Sequence, residues 1–94
     1  FYGEEYARYT PEAVEAVRLF REASGVQLEG TYTGKTIAAL TAAINSGKIK
    51  DKKVLFWNTH NSHDFSRELE GLDYHDLPKA FHRYFEGDVQ PLDR

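Results

Sequence analysis

Apolar residues recur along this chain on two different spacings. Ala13, Val17, Phe20 and Ala23 fall at three- and four-residue intervals, the repeat that gathers side chains on one face of an α-helix. Thr10-Pro11-Glu12 precedes them. It offers a capping hydroxyl, a proline suited to the first helical position and an acid near the positive end of the dipole. Gly25 supplies the stop. The spacing predicts a helix over residues 10–24. A second helix is expected over residues 35–46, closed by Gly47. Ile37, Leu40 and Ile44 lie on one side of it, and Ala38, Ala39, Ala42 and Ala43 keep it slim enough to pack closely. Val54-Leu55-Phe56-Trp57 breaks this rhythm. Four apolar residues in a row suit a strand covered on both faces, as in a parallel sheet.

Residues 26–28 read as a short strand and residues 29–34 as a loop with two glycines. A charged turn over residues 48–53 follows the second helix and leads into the second strand. That order is one βαβ unit, for which a right-handed crossover is expected. The fold class is therefore α/β: a fragment of a three-layer open parallel sheet with flanking helices. Residues 1–9 lack either periodicity and read as a loop. Beyond the polar stretch 58–64, a short helix is expected through Phe65 and Leu69 to Gly71. A last helix should start near Asp76, with Pro78 in its first turn and Leu77, Phe81, Tyr84 and Phe85 as its stripe.

Ninety-four residues make one small domain, and 40% hydrophobic content with 14% aromatic is enough for a folded unit. The chain has no cysteine, which excludes a disulfide framework or thiolate zinc site and fits a reducing, cytoplasmic setting. The net charge of −3 is dispersed, leaving no basic footprint for nucleic acid. No apolar run approaches the roughly 20 residues of a membrane helix. The chain opens on Phe1 without a methionine and reads as the middle of something longer.

In open α/β sheets, ligands bind beyond the carboxyl ends of strands. Tyr32-Thr33-Gly34 and Asn58-Thr59-His60-Asn61 occupy those positions. Parallel neighbouring strands would bring a phenol and two hydroxyls to one sheet edge. No metal site is expected: His60, His63 and Asp64 lack a fourth ligand and a supporting shell. Ser62-His63-Asp64, being neighbours in sequence, cannot point at one another in triad geometry.

Three motifs carry a family resemblance. Gly25-Val26-Gln27-Leu28-Glu29-Gly30-Thr31-Tyr32-Thr33-Gly34-Lys35-Thr36 before an alanine-rich helix resembles "eGi-ldpvYtGKa-agl" of the D-cysteine desulfhydrase and 1-aminocyclopropane-1-carboxylate deaminase family. Val54-Leu55-Phe56-Trp57-Asn58-Thr59 is similar to that family's "vlf-hTGG" strand end. Tyr2-Gly3-Glu4-Glu5-Tyr6, then Thr10-Pro11-Glu12, resembles its "GeGYg-pTpE" run. The resemblance covers residues 1–59, with residues 60–94 as a helical C-terminal extension. It implies the tryptophan-synthase-β-like fold of pyridoxal-phosphate (PLP) enzymes and a small amino acid as substrate. Tyr32 and Tyr6 match active-site tyrosines. Thr59 and Thr33 match positions near the pyridine nitrogen, where strict cyclopropane deaminases carry glutamate in place of Thr33. A neutral hydroxyl there leaves the ring a shallower electron sink, which favours desulfhydrase-like β-elimination over ring opening.

Two departures stand out. His60-Asn61 replaces the family's Gly-Gly, and Glu5 and Ala7 replace glycines around the first tyrosine. The Schiff-base lysine and Gly-rich phosphate loop lie in the family's N-terminal portion, and nothing here matches either; Lys35 is in the wrong motif. The chain is thus expected as the C-terminal piece of a parent enzyme, inert and without PLP when alone, partnered by the rest of that parent and forming a homo-oligomer. Two other readings are a stand-alone interaction module presenting Phe81, Tyr84 and Phe85, and a catalytically dead family member.

Overall fold

The structure, a computed structural model, describes residues 1–92. Helix α1 spans Pro11–Ser24. The Thr10 hydroxyl accepts from the Ala13 N–H at 3.2 Å, satisfying one of the donors a helix start leaves free. At the other end Gly25, with φ of 73°, donates its N–H to the Arg21 carbonyl at 2.8 Å. Helix α2 spans Thr33–Asn45, starting two residues before the expected position because its capping group lies upstream, at Glu29.

The two helices pack on each other. Ala13, Ala16 and Val17 of α1 and Ile37 and Ala38 of α2 are buried, with Leu28 of the connecting segment between them. Alanines let the helices approach closely, and Gly34 does so in the first turn of α2. A Cβ there would lie 2.7 Å from the Glu29 carbonyl oxygen and 3.0 Å from Val17 Cγ2, so any side chain forces the helix away.

The expected α/β architecture does not form. The described residues contain no strand, hence no βαβ unit and no three-layer parallel sheet. Residues 54–57, expected as a strand, are irregular chain. A strand exists only as one member of a hydrogen-bonded pair, and residues 26–28 do not pair with this segment. Phe56 instead turns inward, edge-to-face on Phe20 with ring centroids 5.8 Å apart, while Val54, Leu55 and Trp57 are exposed.

Residues 60–92 also depart from the expected helical extension. Residues 66–71 form turns, with the Leu69 N–H on the Phe65 carbonyl at 3.0 Å. The last helix is broken into 3-10 turns at Tyr74–Asp76 and Lys79–Phe81 and the short helix α3, Arg83–Glu86. Pro78 lacks an N–H and drives Leu77 into extended backbone, ψ of 157°. Asp73, three residues before the expected cap, accepts from the His75 N–H at 2.9 Å. From residue 39 onward no described residue is buried. The radius of gyration is 16.1 Å, against about 12 Å for a compact domain of this length. No helix among the described residues is long and apolar enough to cross a membrane.

Candidate functional site

Three loops meet beside the start of α2. Tyr6 comes from the segment before α1, Glu29 and Tyr32 from the connection into α2, and Thr59, His60 and Asn61 from the segment after residue 57. Together they line a concavity of about 320 Å3.

The middle loop is organised by Glu29. Its carboxylate accepts the N–H groups of Thr31 at 2.5 Å, Tyr32 at 2.7 Å and Thr33 at 2.6 Å. The Thr33 hydroxyl in turn accepts the Glu29 N–H at 3.1 Å. Burial alone would push the Glu29 carboxyl up, but the N–H donors of Thr33, Tyr32 and Thr31 outweigh it and bring the group below its ordinary value. The carboxylate thus sits ionised on the positive end of α2. Tyr32, at the N-cap, contributes no side-chain capping bond, and the residue is 59% exposed.

That ring meets Tyr6. The two phenols share a hydrogen bond, and the rings stand edge-to-face with centroids 6.1 Å apart. The bond to Tyr6, helped by desolvation and by the charges of Tyr6 and Glu29, pushes the Tyr32 phenol above its ordinary value. The Tyr6 loop is held from the far end of the chain. The Gln90 carboxamide donates to the Ala7 carbonyl at 3.0 Å and accepts the Tyr9 N–H at 2.9 Å. The third loop is built by successive side-chain turns: Asn58 Oδ1 accepts the His60 N–H at 3.0 Å, and Asn61 Oδ1 the His63 N–H at 2.9 Å.

Tyr6, Tyr32 and Thr59 therefore come together, without the sheet edge that was expected to align them. Thr33 does not join them. It is buried, with its hydroxyl engaged by Glu29, and it does not line the concavity. Lys35 is also buried and directed elsewhere, its ammonium donating to the Tyr2 carbonyl and lying 5.2 Å from the Tyr2 ring centroid. Two residues that organise the site were missed in the sequence. Glu29 had a local signal, an acid four residues before a threonine at a helix start. Gln90 had none, being more than eighty positions from its partners.

Larger recesses lie elsewhere. One of about 500 Å3, lined by Leu40, Ile44, Val54 and Phe56 with Lys50 and Lys52 beside it, has no acid–base group beyond those lysines. Proton-handling groups converge in the smaller one, which for that reason is the better candidate. Among the described residues no group of three or more His, Cys, Asp or Glu converges as for a metal ion. No protein-family model, curated protein or solved structure matches this chain.

Ala7 adopts φ of 62°, the left-handed region natural to glycine, at a position where the resembling family carries glycine. The strain of a Cβ there is roughly 1–2 kcal/mol, while glycine adds about 0.4–1 kcal/mol of unfolded-state freedom. Ala7→Gly should therefore leave stability unchanged or raise it by up to about 1.6 kcal/mol. Chemical denaturation would check this; a clear destabilisation would contradict the left-handed backbone.

Proposed function

We propose that this chain is part of a pyridoxal-phosphate-dependent lyase or deaminase acting on a small amino acid, and that it contributes the substrate-facing wall of the site. The observation that carries this is the Tyr6–Tyr32 phenol pair over one concavity shared with Thr59. The phenols belong to segments 26 residues apart, in two of the three motifs that resemble the D-cysteine desulfhydrase and cyclopropane-carboxylate deaminase family.

The residues present suit one side of the cofactor only. Phenols, the Thr59 hydroxyl, the Asn61 carboxamide and the His60 imidazole are hydrogen-bonding groups matched to a pyridine edge and an amino-acid substrate. No lysine or arginine lines the concavity. The start of α2, the natural seat for a phosphate, is already filled by the Glu29 carboxylate. Phosphate cradle and covalent lysine are thus assigned to other parts of a longer chain. When bound, the cofactor would supply the electron sink for elimination; the resemblance favours β-elimination over ring opening through Thr33, where strict cyclopropane deaminases carry glutamate. Thr59 would donate to the ring nitrogen, and the Tyr6–Tyr32 pair would orient the substrate and hold a proton on Tyr32 Oη.

The test is spectroscopic. The longer protein should show the near-ultraviolet to blue absorbance band of covalently held PLP, reducible by borohydride. Thr59→Val should shift that band and weaken cofactor retention by about 1–3 kcal/mol. A longer protein without the band under saturating PLP removes this function.

A further inference from the structure

We propose that Glu29 is the positioning residue for Tyr32: its side chain gathers the backbone of the loop and so aims the phenol at Tyr6 across the concavity. This rests on the site reading above and adds to it the group that sets the geometry.

The loop from Glu29 to Thr33 has three consecutive N–H donors, at Thr31, Tyr32 and Thr33, all directed at one carboxylate within 2.5–2.7 Å. Charge-assisted bonds of this length are the strong class. The loop is also closed from the other side. The Gly34 N–H reaches the Glu29 carbonyl at 2.7 Å, and the Thr33 hydroxyl accepts the Glu29 N–H at 3.1 Å. Only the backbone of Tyr32 is captured; its ring projects out of the cage. With φ of −112° and ψ of −66° at Tyr32, the phenol reaches Tyr6 Oη. An exposed tyrosine on an unrestrained loop would sample several rotamers at a cost in pair formation. The cage removes the backbone part of that freedom.

Three titratable groups share the concavity with the Tyr32 phenol: Tyr6 from the first loop, Glu29 from its own, and His60 from the third. The Glu29 charge also raises the Tyr32 phenol, though less than the bond to Tyr6 does. Its carboxylate therefore acts twice, through the backbone it holds and through its field, and both actions keep the proton on Tyr32.

The test uses the 94-residue chain labelled with 13C at tyrosine Cζ, followed by NMR over a pH titration, with helix content by circular dichroism. In Glu29→Gln, the Tyr32 resonance should titrate at lower pH than in the wild type, and the Tyr6–Tyr32 ring contact should be lost while α2 persists. Glu29→Asp, which restores a carboxylate, should recover most of the wild-type titration. An unchanged Tyr32 titration in a folded Glu29→Gln protein overturns the proposal. So does a folded Glu29→Asp protein that titrates like the glutamine variant, and this second variant decides the matter if glutamine unwinds α2. Within the longer enzyme, kcat should fall up to about 100-fold with KM little changed, as for a misaimed reacting group. The NMR measurements need neither cofactor nor substrate, so a longer protein that binds no PLP would remove the proposed function and leave the role of Glu29 standing.

Discussion

Leu28→Ala is expected to abolish cooperative folding of this chain at ambient temperature. Leu28 is 1% exposed and fills the space between α1 and α2, yet it belongs to neither helix. Truncating a leucine in such a place costs about 2–5 kcal/mol, more when the surroundings cannot collapse. Collapse is restricted here, because three of the six buried apolar residues among those described are alanines with nothing left to move inward. A well-packed domain of this length has roughly 5–14 kcal/mol of stability. This chain belongs at the low end, with no described residue buried after Ala38 and a radius of gyration of 16.1 Å. The loss is then comparable to the whole. Leu55 is the control: at 80% exposure, its change to alanine should alter stability by no more than about 0.5 kcal/mol. Urea titrations followed by circular dichroism compare the two. Equal small effects would mean that the helix pair is not the core.

The parts that were readable in the sequence are those whose causes are local. Thr10, Pro11 and Gly25 each act on a helix terminus within four residues of themselves, so α1 could be bounded from composition alone. The start of α2 was misjudged because its cap is a glutamate reaching forward over three donors, a pattern hidden inside what reads as a loop. The strand at residues 54–57 failed for a different reason. Four apolar residues in a row state a need for burial, but a strand also needs a hydrogen-bonding neighbour, and that information lies outside the segment. Pro78 was assigned to a first helical turn, whereas its effect on Leu77 interrupts the helix instead. In the site, Tyr32 and Thr59 stood out first as residues beyond the expected strand ends, whereas Tyr6 stood out through the resemblance alone. Thr33 looked equivalent to them by sequence, and only its position inside the Glu29 cage separates a backbone-holding hydroxyl from one that faces the concavity.

Tyr32→Phe is expected to lower kcat of the longer enzyme by about 100-fold or more, the lower range for loss of a positioned proton-transfer group. KM should change little, since the ring and its contact with Tyr6 remain. Because the Tyr32 phenol is pushed up by its bond to Tyr6, it keeps its proton to higher pH than a free tyrosine. A rate that depends on the protonated phenol therefore survives further into the alkaline range. Tyr6→Phe removes the largest cause of that shift while leaving Tyr32 in place. Its signature should be different: a smaller fall in kcat at neutral pH and an alkaline limb moved to lower pH. Both variants delete the same hydrogen bond, so the double variant should cost clearly less than the sum of the singles, the behaviour of groups in direct contact. Additive effects would mean that the phenols act separately. A Tyr32→Phe enzyme with wild-type kcat and an unmoved alkaline limb would remove the pair from the chemistry altogether, leaving an edge-to-face contact that only joins two loops.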